Sequence, residues 1–486
     1  MSQAIIDEPI RVASRRPLCV DLDGTLVKSD TLIDSLLLLV RTHPLRALRA
    51  PLWLSGGKAA LKARVCSQVQ LDAAHLPYNR PLLNYLTEQH ADGRKLYLTT
   101  GADTALAHRI AEHLGIFEGV LASDGTTNLT GGNKLERLRR RFPEEGFDYI
   151  GNATPDVPLL ENAGEAMLAN PSLPLQAKLK ARKISISRQF DDRGKSLKIF
   201  LKTIRLHQWA KNILIFVPMI LAHALRLSLI VDALVAFLCF SLCASATYIV
   251  NDLLDIEADR RHHKKRYRPF ASGDLPVSAG VAIIAVFMVL AFAGAVLLLP
   301  GPFLGWMLVY LVTTLSYSLY LKRVVLIDVI LLSGLYTLRL LAGGAATSVS
   351  FSPWLAAFSI FLFLSLAMVK RFSELQNIRA QGNTLSNGRG YLLTDIEQIR
   401  SFGTASAYAS VVVFAFYIYG SGATGLYQHP SRMWLMTPLM ILWLSRVWLL
   451  ASRGELDEDP VIFAVTDRMS LLIGLGIALI AVLAAV

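Results

Sequence analysis

The chain has 486 residues, 53% of them hydrophobic, with a mean hydropathy of +0.43 and a formal charge of +12. That combination fits a membrane protein with basic loops and excludes a soluble nucleic-acid binder, whose basic surface comes with a more polar chain. The four cysteines, Cys19, Cys66, Cys239 and Cys243, show no metal-ligand spacing and are too few for a disulfide framework.

Residues 1–16 carry charges but no apolar core of a signal peptide, so the N-terminus is expected in the cytosol. Pro17-Leu18-Cys19-Val20 reads as a short buried strand running into Asp21, Asp23 and Gly24, a strand tip that presents two carboxylates. A mostly helical stretch follows from Thr31 to about Gln89. Arg94–Gly101 is a second strand ending in the hydroxyls of Thr99 and Thr100, and Gly119–Ser123 is a third. Lys134 stands at a helix start, Phe147–Asn152 is a fourth strand, and Asp156 lies just beyond it. Alternating strands and helices predict a parallel sheet with functional groups at the carboxyl ends of its strands.

Ala177–Lys195 is polar and rich in Lys, Arg and Ser, as an exposed connector would be. The expected organisation is a multidomain chain: an α/β domain over 1–176, a basic linker over 177–197, and an all-α polytopic membrane bundle over 198–486. Nine apolar runs are candidates to span, near 210–225, 228–250, 277–299, 302–320, 325–345, 354–370, 401–420, 431–450 and 469–486. With the N-terminus inside, cytosolic loops gather most of the Lys and Arg, including Arg260, Arg261, Lys370 and Arg371, while opposite loops hold only Arg226 and Arg432.

Between two of the apolar runs lies a dense acidic then basic stretch, Asn251–Pro269. If its first part is one helix, Asp252, Asp255 and Asp259 fall within roughly 60° of one another. Three carboxylates on one face need a cation, either a hard metal such as Mg²⁺ together with an anionic ligand, or the neighbouring Lys and Arg side chains. Arg339 interrupts an apolar helix, at a cost of about 2.5–3.5 kcal/mol on insertion scales, and so should face an anionic ligand or an acid on another helix.

In that order the N-terminal residues resemble the haloacid dehalogenase superfamily across about Pro17–Gly164. The resemblance implies Asp21 as phosphoryl-accepting nucleophile, Asp23 as general acid, Thr100 or else Thr99 as the hydroxyl, and Lys134 as the cation. It also implies Mg²⁺ held by Asp21, Asp23 and Asp156. Asn152 stands where that superfamily commonly has an Asp, which leaves both an active phosphatase and a degenerate docking scaffold open.

Asn251–Pro269 resembles the first aspartate-rich motif of the UbiA family of intramembrane prenyltransferases, and the resemblance extends over about 198–486. It implies an all-helical bundle with a cytosol-facing Mg²⁺ site. Most members add a second pair of aspartates, whereas the equivalent loop here, Tyr317–Asp328, has a single one. That departure, with Arg205–Asn212, Tyr317–Lys322 and Asp459–Arg468, resembles the branch that transfers 5-phosphoribosyl from phosphoribosyl pyrophosphate to a polyprenyl phosphate of the decaprenyl type, toward lipid-linked arabinose donors.

Such a reaction brings several phosphates together and needs many cations. Asp252, Asp255 and Asp259 would hold Mg²⁺ on the pyrophosphate, with Asp252 and Asp255 central to catalysis, and Lys265, Arg266 and Arg268 would clamp ribose phosphates. Arg205, Gln208, Lys211, Asn251, Tyr317, Lys322 and Arg339 are further ligand candidates. The N-terminal domain would then remove the 5-phosphate. The alternative is prenyl transfer from a polyprenyl diphosphate to an aromatic acceptor of the 4-hydroxybenzoate type, with a degenerate N-terminal domain. The expected setting is a bacterial inner membrane, with the N-terminal domain and active site cytosolic. No nucleic-acid partner is expected, and the oligomeric state, a homo-oligomer included, stays open.

Overall fold

The computed structural model describes residues 16–192, 194, 196–380, 389–420, 426–456 and 460–486. The chain folds as two compact units, one built from the stretch ending at Thr203 together with Asp252–Val281, the other from Ile204–Asn251 with Ala282–Val486. The acidic and basic stretch thus belongs to the same unit as the α/β domain, which no shift in composition announces.

The first unit is organised on six parallel strands: β1 (Leu18–Val20), β2 (Leu96–Asp103), β3 (Gly119–Ser123), β4 (Asp148–Gly151), β5 (Ala166–Ala169) and β6 (Arg188–Phe190), in the order β3-β2-β1-β4-β5-β6. β1 is central, pairing Leu18 with Leu96 on one side and with Asp148 on the other. Strand side chains alternate, so Leu18 and Val20 join Leu98, Leu106 and Ile110 in one layer, while Cys19 joins Tyr149, Leu138 and Leu159 in the other. With both faces covered, a parallel sheet can be buried at the heart of the unit. The turn after β1 requires Gly24: its φ is +77°, and a Cβ there would lie 2.0 Å from the Asn152 side-chain nitrogen.

The four expected strands are present. β5 and β6 are additional, and β6 lies inside the stretch expected to be a bare connector, as does the end of the helix Leu173–Ala181. Only Phe190 of β6 is buried, so a three-residue edge strand within a basic run leaves little alternation to read. Three helices matter for the site: α1 (Thr31–Thr42), capped by Asp30, which accepts from the Leu32 and Ile33 amides; α2 (Gly57–Gln68); and α3 (Gly132–Arg141).

Among the described residues, eight helices are long and apolar enough to cross a membrane: α4 (Leu227–Leu254), α6 (Val277–Leu298), α7 (Gly301–Leu319), α8 (Ile327–Ala346), α9 (Pro353–Ala380), α10 (Ile396–Tyr419), α11 (Met436–Ser452) and α12 (Arg468–Ala485). Between α4 and α6 lies a short helix, α5 (Ile256–Arg261). α6 has a mean hydropathy of 3.0 but only 17% of its most apolar window is buried by protein, so lipid must cover the rest.

The run expected as a span near 210–225 is different. Leu206–Phe216 is a series of 3-10 turns, followed by a five-residue helix, Val217–Leu221. Arg205 before it and His223 after it are left-handed, with φ of +51° and +52°, and Pro218 brings no N–H. Irregular backbone is tolerated in such a protein where other protein covers it. Asn212 and Ile215 are accordingly buried, and α8 approaches so closely that a Cβ on Gly343 would meet the Ile215 carbonyl oxygen at 2.1 Å.

Candidate active sites

In the first unit the carboxyl ends of β1 and β4 carry the charges. Asp21, one residue beyond β1, is fixed by its backbone N–H donating to the Ile150 carbonyl at 3.0 Å. Lys134, buried in the first turn of α3, donates to Asp21 Oδ1 at 2.7 Å and to the Tyr149 hydroxyl at 3.0 Å. Tyr149 in turn donates to Asp156 Oδ1 at 3.0 Å, and Asp156 Oδ2 accepts from the Asn152 and Ala153 amides. Asp23 Oδ1 accepts from the Thr31 amide at 2.8 Å, where α1 begins.

These groups open into a cavity of about 480 Å³ that Lys62 of α2 also lines. The Lys62 ammonium donates to the Asn128 side chain at 2.9 Å and to the Gly101 carbonyl. Thr100 Oγ1 accepts from the Ala102 amide and the Thr99 hydroxyl donates to the Val20 carbonyl, so both hydroxyls expected at the site are engaged with backbone.

Burial pushes the Asp21 carboxyl up, Lys134 opposes it and Asp156 adds to it; burial, with Asp30 adding, pushes Asp23 up to about 7. Carboxylates held in such a setting favour a further cation, and their oxygens are the hard donors Mg²⁺ prefers, so Asp21, Asp23 and Asp156 fit it. Among the described residues, however, no three His, Cys, Asp or Glu groups are already gathered as a metal shell.

The acidic stretch is not one helix. α4 ends at Leu254, Asp255 has φ −96° and ψ 5°, and α5 starts afresh at Ile256. The single shared face expected for three carboxylates is therefore broken. Asp252 and Asp259 share Arg268, at 3.0 and 2.7 Å, while Asp255 pairs with Arg41 of α1 at 2.8 Å. Burial pushes Asp259 up and Arg268 pulls it back. The two buried carboxylates supply the hard oxygen donors that a divalent cation such as Mg²⁺ takes.

The basic half divides as well. Arg268 joins the carboxylates, but Arg266 lies over the Tyr267 ring at 4.9 Å and lines a separate groove with Arg80 and Lys28. Lys265 is exposed. Arg260 and Arg261, read from sequence as topology-setting charge, make protein contacts instead: Arg260 pairs with Asp34 at 2.8 Å and Arg261 with Asp72 at 3.3 Å.

The second unit holds a buried polar cluster. Arg339 donates through Nε to Asn212 Oδ1 at 2.8 Å and through Nη1 to the Leu335 carbonyl, and its guanidinium lies 5.2–5.7 Å from the rings of Tyr310, Tyr336 and Phe240. Asn212 donates onward to Ser241 at 2.9 Å. The acid expected on another helix is absent: among the described residues no carboxylate pairs with Arg339. Lys211 lies over the Tyr336 ring at 5.6 Å, and these two line a small cavity of about 50 Å³ with Lys370, Pro460 and Val461. Arg205 lies over Tyr248, the Gln208 amide donates to the Arg205 carbonyl, and Lys322 donates to Asn251 at 3.3 Å.

Asp328 is spoken for. It is fully buried, accepts from Arg371 Nε at 2.6 Å and from the Tyr391 hydroxyl, and Arg371 also pairs with Glu374. Tyr317 accepts from Arg389 at 3.2 Å. Arg371 lies within α9 and is completely buried, where sequence reading assigned it to a cytosolic loop. Asp459, which opens the last quoted motif, lies outside the described residues. An apolar cavity of about 650 Å³, lined among others by Phe358, Phe414, Met436, Met440, Trp443 and Ala481, completes this unit.

Comparison with known proteins decides the class. The model of the UbiA prenyltransferase family matches residues 213–473. The chain belongs to the UbiA family. It is thus a multi-pass membrane transferase. Among relatives, the protein y4nM of Sinorhizobium fredii is 38% identical over 95% of this chain and 90% of its own length. Nodulation protein NoeC of Azorhizobium caulinodans is 34% identical over 58% of this chain and 91% of its own. Decaprenyl-phosphate phosphoribosyltransferase of Mycobacterium tuberculosis is 32% identical over 57% of this chain and 90% of its own. A solved UbiA homologue of Archaeoglobus fulgidus, bound to DMAPP and Mg²⁺, is 17% identical over 58% of this chain and 96% of its own, with a TM-score of 0.45. At the N-terminal region a HAD-family hydrolase of Salmonella enterica is 16% identical over 36% of this chain and 66% of its own, with a TM-score of 0.27.

Proposed function

We propose that this UbiA-family protein transfers the 5-phosphoribosyl group of phosphoribosyl pyrophosphate to a polyprenyl phosphate of the decaprenyl type, and that its N-terminal domain then removes the 5-phosphate. The observation that carries the reading is Arg339, a buried cation whose described partners are neutral: a charge kept among aromatic rings without a carboxylate suits an anionic ligand. The named activity of the Mycobacterium tuberculosis relative supports the same chemistry. Asp328 weighs against the alternative transfer from a prenyl diphosphate, because the single acid of the second motif already serves Arg371 and Tyr391.

In this reading the ionised acceptor phosphate attacks the anomeric carbon, the bond from that carbon to the pyrophosphate oxygen breaks, and pyrophosphate departs with its electron pair. Asp252 and Asp259 would hold Mg²⁺, which would supply charge to stabilise the departing pyrophosphate, while Asp255, turned to Arg41, is set apart from them. Arg268 and Lys265 would bind donor phosphate, and Arg205, Gln208, Lys211, Asn251, Tyr317, Lys322 and Arg339 would hold the remaining anionic groups and orient the ribose. The apolar cavity offers room for part of the prenyl tail.

In the N-terminal pocket Asp21 would attack the 5-phosphorus and Asp23 would protonate the departing ribose oxygen. Water then cleaves the aspartyl phosphate, giving inorganic phosphate. Lys134 would neutralise the phosphoryl oxygens, and Mg²⁺ on Asp21, Asp23 and Asp156 would share that charge. We place both activities at the cytosolic face of a bacterial inner membrane.

The test is incubation of the purified protein with ribose-labelled phosphoribosyl pyrophosphate, polyprenyl phosphate and Mg²⁺. Lipid-borne label is expected. Its absence, alongside turnover of a polyprenyl diphosphate with 4-hydroxybenzoate, would overturn the reading.

A further inference from the structure

The pocket around Asp21 has three chemically different parts. Its floor is the charged set Asp21, Asp23, Lys134 and Asp156. Its roof is apolar and comes from the far end of the acidic and basic stretch: Phe270, Leu275, Pro276 and Val277. Val277 is also the first residue of α6, one of the eight helices long and apolar enough to cross a membrane. Between floor and roof sits Asp34 of α1, almost wholly buried. Its Oδ2 accepts from Ser29 and pairs with Arg260, yet its Oδ1 has no hydrogen-bond partner among the described residues.

The roof is fixed in place. Arg260 joins the pocket wall to it, pairing with Asp34 at 2.8 Å, donating to the Ser29 hydroxyl at 3.0 Å and to the Ala271 carbonyl beside Phe270 at 3.1 Å. Lys28 adds a second tie to Asp274 at 3.0 Å. A soluble sugar phosphate would gain nothing from the hydrocarbon surface held over the charged floor.

We infer that this pocket takes a phosphorylated sugar carried on an apolar anchor, a lipid-linked sugar phosphate: phosphate on the Asp21–Lys134 floor and the start of the hydrocarbon under Phe270, Leu275 and Val277. This rests on reading the pocket as a phosphatase site and specifies the substrate class. The group transfer is a hydrolysis of the phosphomonoester: the phosphorus–oxygen ester bond breaks, water supplies the new phosphorus–oxygen bond, and its protons end on the alcohol and phosphate products.

A matched pair of synthetic esters tests it, dodecyl and methyl β-D-ribofuranoside 5-phosphate, which share the reacting end and differ only in the anchor. The full-length protein in lipid nanodiscs is assayed for inorganic phosphate. The dodecyl ester is expected to show a KM at least ten-fold lower than the methyl ester. Partition of the dodecyl ester into lipid could mimic this, so Leu275→Gln, at a half-buried position, is the control: it should narrow the ratio several-fold, a change partition cannot produce. Equal KM values, or a ratio that Leu275→Gln leaves unaltered, would overturn the inference while leaving the phosphatase reading standing. Release from neither ester overturns both. Because the synthetic esters bypass the transferase, labelled phosphoribosyl pyrophosphate in the same preparation reports on that activity separately.

Discussion

Two buried arginines of the membrane-spanning half have opposite surroundings, and their substitutions should differ in sign. Arg371 is locked to Asp328 and Glu374, so Arg371→Met leaves the fully buried Asp328 short of its counter-charge. Breaking a buried pair in this way costs about 3–5 kcal/mol, which should appear as a clear drop in Tm in detergent. Arg339 has neutral partners, so Arg339→Met should leave Tm level or raise it. The same change should raise the KM for phosphoribosyl pyrophosphate roughly ten- to hundred-fold, the equivalent of a charged hydrogen bond of about 1.5–3 kcal/mol. In the N-terminal pocket Tyr149 bridges Lys134 and Asp156 through one hydroxyl. Tyr149→Phe should cut phosphate release about ten-fold, by loss of a hydrogen bond of about 1–1.5 kcal/mol, with KM little changed. Arg339 was visible in the sequence because a charge interrupts an apolar helix. Its partner Asn212 was not, since an amide before a span has many ordinary uses. Tyr149 read only as a β-strand residue, because its role depends on α3 arriving beneath it.

At the scale of elements, the acidic stretch shows what periodicity can and cannot deliver. The composition of Asn251–Pro269 marked it as special, but a carboxylate face was read by extending one helix through Asp259. The backbone breaks at Asp255, which sends that side chain to Arg41 while Asp252 and Asp259 meet on Arg268. Arg260, adjacent to Asp259, turns the other way and packs into the wall of the α/β pocket. Arg260→Met should therefore loosen 252–281 and α1 together, costing about 3–5 kcal/mol because Asp34 stays buried without its cation. Hydrogen exchange should rise in those two segments and stay unchanged in α7 to α12; a rise spread evenly over all helices would contradict the pairing. The irregular backbone of the run near 210–225 has a similar origin: hydropathy there is high, but Pro218 and the left-handed residues at Arg205 and His223 set the backbone, and they are invisible to a hydropathy average.

For the molecule as a whole, the two architectures were legible early, the parallel sheet from alternating strands and helices and the bundle from its apolar runs. The grouping of Asp252–Val281 with the α/β unit was not, because it rests on contacts more than two hundred residues apart in sequence, such as Lys28 with Asp274. That grouping gives one segment an acidic start, where Asp252 and Asp259 meet on Arg268, and an apolar end that roofs the α/β pocket. The central claim is that a ribose phosphate is first loaded onto lipid and then dephosphorylated by the same chain. The direct measurement uses phosphoribosyl pyrophosphate labelled separately in the ribose and in the 5-phosphate, followed in the lipid fraction with wild type and Asp21→Asn. Both labels should enter the lipid, with the phosphate label leaving as inorganic phosphate in the wild type and persisting in Asp21→Asn. A lipid fraction that never acquires the ribose label, or one whose phosphate label is lost equally in both proteins, would contradict the account.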